Sequence, residues 1–196
     1  DDLLGQIERD DAARAPADSQ VIFLGDLVDR GPQSAQVIQR LLDLSQRTDK
    51  GRFLLGNHEE VFLKALKGEK GAMQFFVRIG GKATVLSYGV SEAEYQACDY
   101  AELEDLIEIG DFAFVHAGIR PDLPLAEQKP ATLRWIREEF IDHRGAFEKI
   151  IVHGHTITKN VDEQKWRIGI DTGAFDSGKL TAMGFEATQR WVLQTG

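Results

Sequence analysis

The sequence lacks several features that would assign it to a specialised class of protein. Its single cysteine, Cys98, excludes an internal disulfide framework, and nothing in the chain requires an oxidising compartment. No apolar run approaches the roughly 20 residues of a membrane span. The net charge of −9, without a long basic run, argues against a broad nucleic-acid-binding surface. These absences predict a cytoplasmic protein with neither a membrane nor a nucleic acid as partner.

What is present fits one globular domain. The 196 residues contain 42% hydrophobic and 28% charged side chains, which is typical of a soluble chain with a substantial core. No repeat, low-complexity tract or linker divides the sequence, so we predict a single domain over residues 1–196. Residues 68–106 are the least informative. We expect them to form a cap beside the functional site, with one helix that Gly80-Gly81 closes and an acidic helix over residues 93–106.

The most informative stretch is Val21–Pro32, with the sequence VIFLGDLVDRGP. Its four leading apolar residues show no polar alternation, which predicts a strand buried on both faces. Glycines and a proline then mark a loop. Asp26, Asp29 and Arg30 follow the strand at its carboxyl end, which is the edge at which open α/β sheets bind ligands.

Three other apolar runs also end in a potential metal ligand beside a glycine: FLL before Gly-Asn-His-Glu, FAFV before His-Ala-Gly, and IIV before His-Gly-His-Thr. The carboxyl ends of strands in one sheet can converge. Asp26, Asn57, His116 and His155 could therefore meet around one ion. One carboxylate, one amide oxygen and two imidazoles suit a divalent transition metal such as Mn, Fe or Zn.

Structural explanations compete with these functional ones. Asp26 could cap a helix, and Asn57 could be a turn residue. His116 and His155 could be buried core residues, and Asp29 and Arg30 could form a structural salt bridge with each other. His153, in the same His-Gly-His run, is predicted to be structural.

The rest of the pattern predicts the fold class. Helical spacing over residues 33–47, followed by a strand at 52–55, predicts two parallel strands joined by a right-handed helical crossover. An apolar stripe over residues 61–66 predicts a second helix that packs on the core. Two short strands around a turn are predicted over 107–115, and a strand-rich meander from residue 149 onward. This mixture predicts an α/β fold of two mixed sheets packed face to face with helices outside.

The motifs GDLVDRG, GNHE, HAG and HGHT occur in this order between Leu24 and Thr156, and the series resembles the phosphoprotein-phosphatase branch of the calcineurin-like metallophosphoesterases. The resemblance is greatest to bacterial and phage-type members. It implies an αββα sandwich of two mixed β-sheets flanked by helices, and two divalent metal ions, Mn in the first place and Fe or Zn as alternatives. The family's opening Gly-Asp-x-His-Gly turn contributes ligands to the first metal. That turn and its strand are missing from the residues at hand, so we expect the first metal site to be incomplete.

The resemblance also assigns roles to individual residues. Asp26 is expected to bridge the two metals, because one carboxylate can neutralise and span two cations. The second metal would be completed by Asn57, which is also predicted to contact substrate, and by His116 and His155.

The remaining roles concern the substrate. His58 matches a histidine that protonates the leaving group as a general acid, a role that suits imidazole near neutral pH. Asp29 matches the carboxylate that orients this histidine. Arg30 matches a phosphate-binding arginine, whose fork fits two phosphoryl oxygens. Arg137 is the candidate for a second such arginine, in a short helix led by Leu133, and Arg134 competes with it.

The predicted function is hydrolysis of a phosphomonoester by metal-activated water. The main prediction is a serine/threonine protein phosphatase, acting on a phosphorylated protein or, with broad specificity, on a small phosphoester. The alternative is an enzyme of the same fold that cleaves dinucleoside polyphosphates symmetrically, and a third reading is a non-catalytic phosphate-binding module. Asp29 and Glu59 favour the first, because the dinucleoside branch more often replaces the former and has Asp in place of the latter.

Overall fold

The computed structural model describes residues 2–89 and 103–196. Within them, the first elements along the chain are α1 (Asp2–Ala13), β1 (Val21–Phe23), α2 (Ser34–Arg47), β2 (Gly51–Phe53), α3 (Asn57–Leu66), α4 (Ala72–Phe76), a π-helical turn (Val77–Gly81) and α5 (Lys82–Ser87). After the undescribed residues come β3 (Leu106–Ile109), β4 (Phe112–Val115), a 3-10 turn (Leu125–Glu127), α6 (Pro130–Trp135), α7 (Glu138–Ile141), β5 (Ile150–His153), β6 (Asp162–Glu163), β7 (Arg167–Gly169), α8 (Ala174–Ser177), β8 (Thr181–Glu186) and β9 (Gln189–Gln194).

The first strands form the predicted crossover unit. β1 and β2 pair in parallel, with Val21 opposite Gly51 and Phe23 opposite Phe53, and α2 joins them. Both strands therefore end at the same edge. This parallel arrangement places the loop after β1 beside the loop after β2, and those loops carry the residues that the sequence marked as ligands.

A five-stranded mixed sheet in the order β3-β4-β5-β7-β6 forms the centre of the fold. β4, β5 and β7 are parallel, whereas β3 and β6 pair antiparallel at the two edges. An isolated parallel bridge between Leu54 and Glu104 connects the first pair of strands to the segment that leads into β3. The carboxyl ends of β4 and β5 lie side by side because those strands are parallel neighbours, and His116 and His155 follow them. The β8–β9 hairpin forms a separate two-stranded ribbon.

The apolar stripe on α3 packs as predicted. Val61, Phe62 and Ala65 are buried in a cluster with Val28 and Phe76. The rings of Phe62 and Phe76 stack with centroids 4.8 Å apart. Burying one such ring is worth roughly 1.5–3 kcal/mol, so this cluster anchors the helix whose first residues are Asn57 and His58. The α/β class and the mixed sheet with flanking helices are thus confirmed.

Two local predictions differ from the structure, and a third lies mostly outside the described residues. The helix at residues 72–76 does not close at Gly80-Gly81, because the π-helical turn leads directly into α5. Gly80 adopts a non-helical φ of 126° inside that turn, and its carbonyl accepts a hydrogen bond from the Arg30 backbone N–H. The glycine therefore distorts the helix without terminating it. Most of the acidic helix predicted over 93–106 lies outside the described residues, and its last residue begins β3. Arg137 lies between two short helices, in a non-helical conformation.

Within residues 2–89 and 103–196, we find no helix with the length and apolar character needed to cross a bilayer.

Candidate metal centre and active site

The four predicted ligands converge. One ligand atom from each of Asp26, His116 and His155 lies within 4.8 Å of the others. The Asn57 amide oxygen lies 3.0 Å from His116 Nε2. Asp26 follows β1, Asn57 begins α3, and the two histidines follow β4 and β5. Folding of the parallel strands therefore brings together residues that are up to 129 positions apart in the sequence.

Hydrogen bonding selects the tautomer of His116 that leaves a lone pair for a metal. His116 Nδ1 donates to the Leu24 carbonyl at 2.6 Å, which in the neutral ring leaves the lone pair on Nε2. The oxygen of Asn57 at 3.0 Å and a carboxylate oxygen of Asp26 at 3.3 Å face this nitrogen. Three electron-rich atoms directed at one region are stabilised by a cation between them.

His155 is also suited to bind a metal. It is buried, and its Nε2 has no hydrogen-bond partner in the described part of the chain. Burial, together with the neighbouring His116 and Arg137, lowers the pKa of His155 to about 3. The imidazole is therefore neutral near pH 7, and an unpartnered buried nitrogen would be costly without a ligand. These donors fit a divalent ion, and their chemistry accepts Mn, Fe or Zn.

Several site residues adopt left-handed backbone conformations. Among the described residues, five non-glycine residues have positive φ, and four of them are Asp26, Asp29, Arg30 and His155. A non-glycine residue in this region costs of the order of 1–3 kcal/mol and persists only where the surroundings hold it. The surroundings here must therefore include strong, specific backbone contacts.

Glu59 provides those contacts in the loop after β1. Its Oε2 accepts from the backbone N–H groups of Asp26 (2.8 Å) and Gly56 (3.0 Å), and its Oε1 accepts from Leu27 (2.7 Å) and Val28 (3.2 Å). The side chain is only 1% exposed. Burial and the charge of Asp26 raise the pKa of Glu59 to about 7, while the backbone N–H donors act in the opposite direction.

The loops that Glu59 joins touch at two glycines. A Cβ on Gly25 would lie 2.6 Å from the backbone nitrogen of Gly56, and a Cβ on Gly56 would lie 2.5 Å from Glu59 Oε2. No larger residue fits at either position without moving the backbone. The absence of side chains is what lets the carboxylate reach donors on both loops.

His58 belongs to a second, adjacent cluster. Its Nδ1 lies 2.6 Å from Asp29 Oδ2, and Arg30 Nη2 lies 3.1 Å from its Nε2. Burial lowers the pKa of His58, but the hydrogen bond with Asp29 and the charges of Asp26 and Asp29 outweigh it, and the net shift is upward. Asp29 thus orients the ring, and Nε2 points toward the phosphate-binding arginine expected from the sequence.

Thr84 completes this cluster, and no sequence pattern revealed it. Its hydroxyl donates to the other oxygen of Asp29 at 2.6 Å and accepts from the Asp29 backbone N–H at 2.9 Å. Thr84 lies on α5 and is fully buried. Residues 68–106 were expected only to cap the site, yet α5 holds a residue that fixes Asp29, the partner of His58. A lone threonine inside a helix carries no spacing signal, so only the fold identifies it.

The two arginine candidates have different environments. Arg137 donates to the His155 carbonyl at 3.2 Å and lies beside the proposed ligands. Arg134 instead forms a two-pronged pair with Asp105, at 2.6 and 2.8 Å. The geometry favours Arg137 as the second phosphate contact, since the fork of Arg134 is already occupied. His153 lies outside the ligand cluster, with its ring edge against Phe140.

Comparison with known proteins identifies the family. The sequence model of the family described as calcineurin-like phosphoesterase matches residues 2–194. The match covers almost the whole chain, so this chain belongs to the calcineurin-like phosphoesterases and is a metallophosphoesterase by class.

Named relatives are more specific. An asymmetrical bis(5′-nucleosyl)-tetraphosphatase of Anoxybacillus flavithermus is 28% identical over 210 residues, which cover 93% of this chain and 82% of that protein. The enzyme of the same name from Bacillus subtilis is 28% identical and covers 84% of this chain and 75% of that protein. A symmetrical bis(5′-nucleosyl)-tetraphosphatase of Acidovorax sp. is 28% identical over 70% of this chain and 43% of that protein. A solved structure provisionally assigned as a diadenosine tetraphosphatase shares the fold, with a TM-score of 0.65, 21% identity and coverage of 97% of this chain and 86% of that one.

These relatives overturn the main functional prediction, that of a serine/threonine protein phosphatase. The prediction was wrong because it used Asp29 and Glu59 to choose between substrate classes. Both side chains are buried, and their contacts are with His58, Thr84 and backbone N–H groups. Residues that shape the site from within do not touch the part of a substrate that distinguishes a phosphoprotein from a nucleotide.

Replacing the central carboxylate tests its structural role. Glu59→Gln puts an amide nitrogen, which cannot accept, against backbone donors, and an unsatisfied buried group costs about 1–3 kcal/mol. We expect the free energy of unfolding in urea to fall by this amount and the metal content to fall with it. Glu69→Gln, at an exposed glutamate, is the matched control. Unchanged stability and metal content in Glu59→Gln would show that the loops do not depend on the carboxylate.

Proposed function

We propose that this protein hydrolyses dinucleoside tetraphosphates in a metal-dependent reaction. The observation that carries the proposal is the match of its relatives. Proteins named as asymmetrical bis(5′-nucleosyl)-tetraphosphatases align with up to 93% of the chain. The converging ligands and the adjacent Asp29–His58–Arg30 cluster supply the chemistry that cleavage of a phosphoanhydride requires. The asymmetrical relatives match more of the chain than the symmetrical one, so we expect a nucleoside triphosphate and a nucleoside monophosphate as products.

Asp26, Asn57, His116 and His155 are the proposed ligands of one divalent ion, with Mn the first candidate. When bound, such an ion supplies Lewis acidity toward the phosphoryl group and a source of hydroxide near neutral pH. A second ion that shares Asp26 remains the expectation from the family resemblance. The amide of Asn57 is buried among the other ligands, so its proposed role in substrate binding would be exerted at the phosphoryl group nearest to them.

The proposed proton donor is His58. Asp29 holds the Nδ1 proton, which leaves Nε2 to pass a proton to the departing oxygen. Arg30 lies against Nε2 in this structure and would turn its planar fork to the phosphoryl oxygens of a bound substrate. Arg137 would contact the same group from the side of His155. The departing group of a phosphoanhydride is a phosphate, which is less basic than an alkoxide, so protonation is less critical here than in a phosphomonoesterase.

The substrate class is tested by parallel assays with added Mn. We expect kcat/KM for diadenosine tetraphosphate to exceed the values for a phosphoserine peptide and for p-nitrophenyl phosphate. Chromatography should show ATP and AMP as products, whereas two ADP molecules would indicate the symmetrical mode. Faster hydrolysis of the phosphopeptide than of the dinucleotide would refute the proposal.

Metal binding is tested by Asp26→Asn. Loss of the carboxylate charge should lower the Mn content, measured by elemental analysis after gel filtration, and the affinity, measured by calorimetry. Asp49→Asn, at an exposed aspartate, should behave as wild type. Equal Mn content in Asp26→Asn and wild type would exclude Asp26 as a ligand.

The proton-donor role of His58 is tested by His58→Ala with substrates of different leaving groups. General acid catalysis contributes about 10²- to 10⁴-fold, and we expect the larger loss for phenyl phosphate, whose leaving oxygen is basic. The loss should be smaller for p-nitrophenyl phosphate and for diadenosine tetraphosphate, with the Mn content unchanged. An equal loss for all three substrates, or a fall in Mn content, would instead assign His58 to positioning or to metal binding.

A further inference from the structure

Phe175 has an unusual position for an apolar side chain. It is 51% exposed, on the short helix α8, and the central guanidinium carbon of Arg30 lies 4.7 Å from its ring centroid. Single exposed apolar residues are common and need no explanation by themselves. The feature that requires one is the location, because this ring is in direct contact with the proposed phosphate-binding arginine.

Arg30 links the ring to the reacting groups. The same guanidinium lies 3.1 Å from His58 Nε2, so the Phe175 ring is within about 10 Å of the proposed proton donor. A nucleotide joins a charged phosphate to a flat base through a ribose. A phosphate held by Arg30 would therefore place its own nucleoside within reach of the ring.

The segment that carries Phe175 is held in place by hydrogen bonds. Thr158 N–H donates to the Asp171 carbonyl at 2.9 Å, and Gly173 N–H donates to the Asp171 carboxylate at 2.9 Å. The Ser177 hydroxyl donates to the Thr172 carbonyl at 2.8 Å. The first bond attaches this segment to the loop after His155, and the other two hold the turn into α8, so the backbone that carries the ring has a defined position relative to the proposed ligands. An aromatic ring on a preorganised backbone binds a base at a lower cost in conformational entropy than one on a backbone that must first be ordered.

The surroundings of the ring suit a nucleobase. Aromatic side chains beside cationic groups are the usual means of binding bases, because every base presents a π-face and every nucleotide a negative charge. Ile157, two residues after His155, is 48% exposed and adds apolar surface on the adjoining loop. A phosphoserine or phosphothreonine side chain carries no flat ring that could use such a surface.

We propose that Phe175 is the nucleobase platform of this site, stacking the base of the nucleoside nearest the attacked phosphate while Arg30 holds that phosphate. The proposal rests on the proposed dinucleoside tetraphosphate hydrolase function and names the residue that recognises the nucleoside. Another exposed aromatic group is formed by Phe75 and Trp135, whose rings stack with centroids 6.4 Å apart. In the described part of the chain this pair contacts Glu60 and Arg78 rather than Arg30, so it is not the platform for this nucleoside.

The test compares Phe175→Ala with Phe175→Trp, and uses Leu42→Ala, at a leucine of similar exposure on α2, as the control. The constants measured are KM for diadenosine tetraphosphate and the inhibition constant of inorganic tetraphosphate, which has no base. Stacking of a base on an aromatic ring contributes enough to predict a KM increase of roughly 5- to 100-fold in Phe175→Ala. The inhibition constant of inorganic tetraphosphate should stay within about twofold, and Phe175→Trp should keep the wild-type KM.

Two outcomes would overturn the platform. If Phe175→Ala raises the inhibition constant of inorganic tetraphosphate and the KM of the dinucleotide by the same factor, the ring only supports Arg30. If neither constant changes, the ring has no role in binding.

Failure of the proposed function can be told apart from failure of the platform. If the wild-type protein does not hydrolyse diadenosine tetraphosphate, the affinities of the Mn-loaded protein for AMP and for inorganic phosphate are compared by calorimetry. Tighter binding of AMP that disappears in Phe175→Ala and persists in Phe175→Trp would support the platform for another nucleotide. Equal affinity of the wild-type protein for AMP and phosphate would overturn it.

Discussion

The carboxylate of Glu59 is the interaction on which the site depends. It accepts hydrogen bonds from backbone N–H groups on both loops that follow β1 and β2, and it does so in a buried position. Asp26 holds a left-handed conformation in one of those loops, which is costly for a residue with a side chain. The Asp26 side chain, which faces the other proposed metal ligands, is therefore supported by a residue that is itself buried. The hydrogen bonds to the buried Glu59 carboxyl group offset the cost of the left-handed backbone at Asp26 and so hold the two loops in one arrangement.

A similar separation of support from contact recurs through the site. Asp29 lies between Thr84 and His58, and it fixes the direction of the imidazole without reaching solvent. The neutral, buried His155 and the tautomer of His116 keep lone pairs available for a cation. Arg30 and Phe175, in contrast, are exposed and lie against each other, at the position where the proposed substrate would meet the protein. In the proposed function, the interior residues would support the reacting groups and the rim residues would contact the substrate.

This separation explains which predictions succeeded. Apolar runs that end in Gly-Asp, Gly-Asn-His or His-Ala-Gly identify strand ends, and the parallel pairing of β1 with β2 and of β4 with β5 is what makes such ends converge. The prediction of the substrate class failed because the motifs consist of residues in the interior of the site. Asp29 and Glu59 are parts of that interior and carry no information about a leaving group. Thr84 and Phe175 were missed because neither belongs to a periodic or glycine-marked pattern, and each reaches its partner only through packing of distant segments.

The sequence by itself determined the α/β class, the crossover of the first two strands and the identity of the residues that converge. Those features depend on local apolar runs and on turn residues, which can be read along the chain. Only the tertiary structure decided how these side chains are oriented. The direction of the His58 ring, the free lone pair of His116 and the ring under Arg30 depend on contacts between residues 28 to 145 positions apart, and no local pattern encodes such contacts.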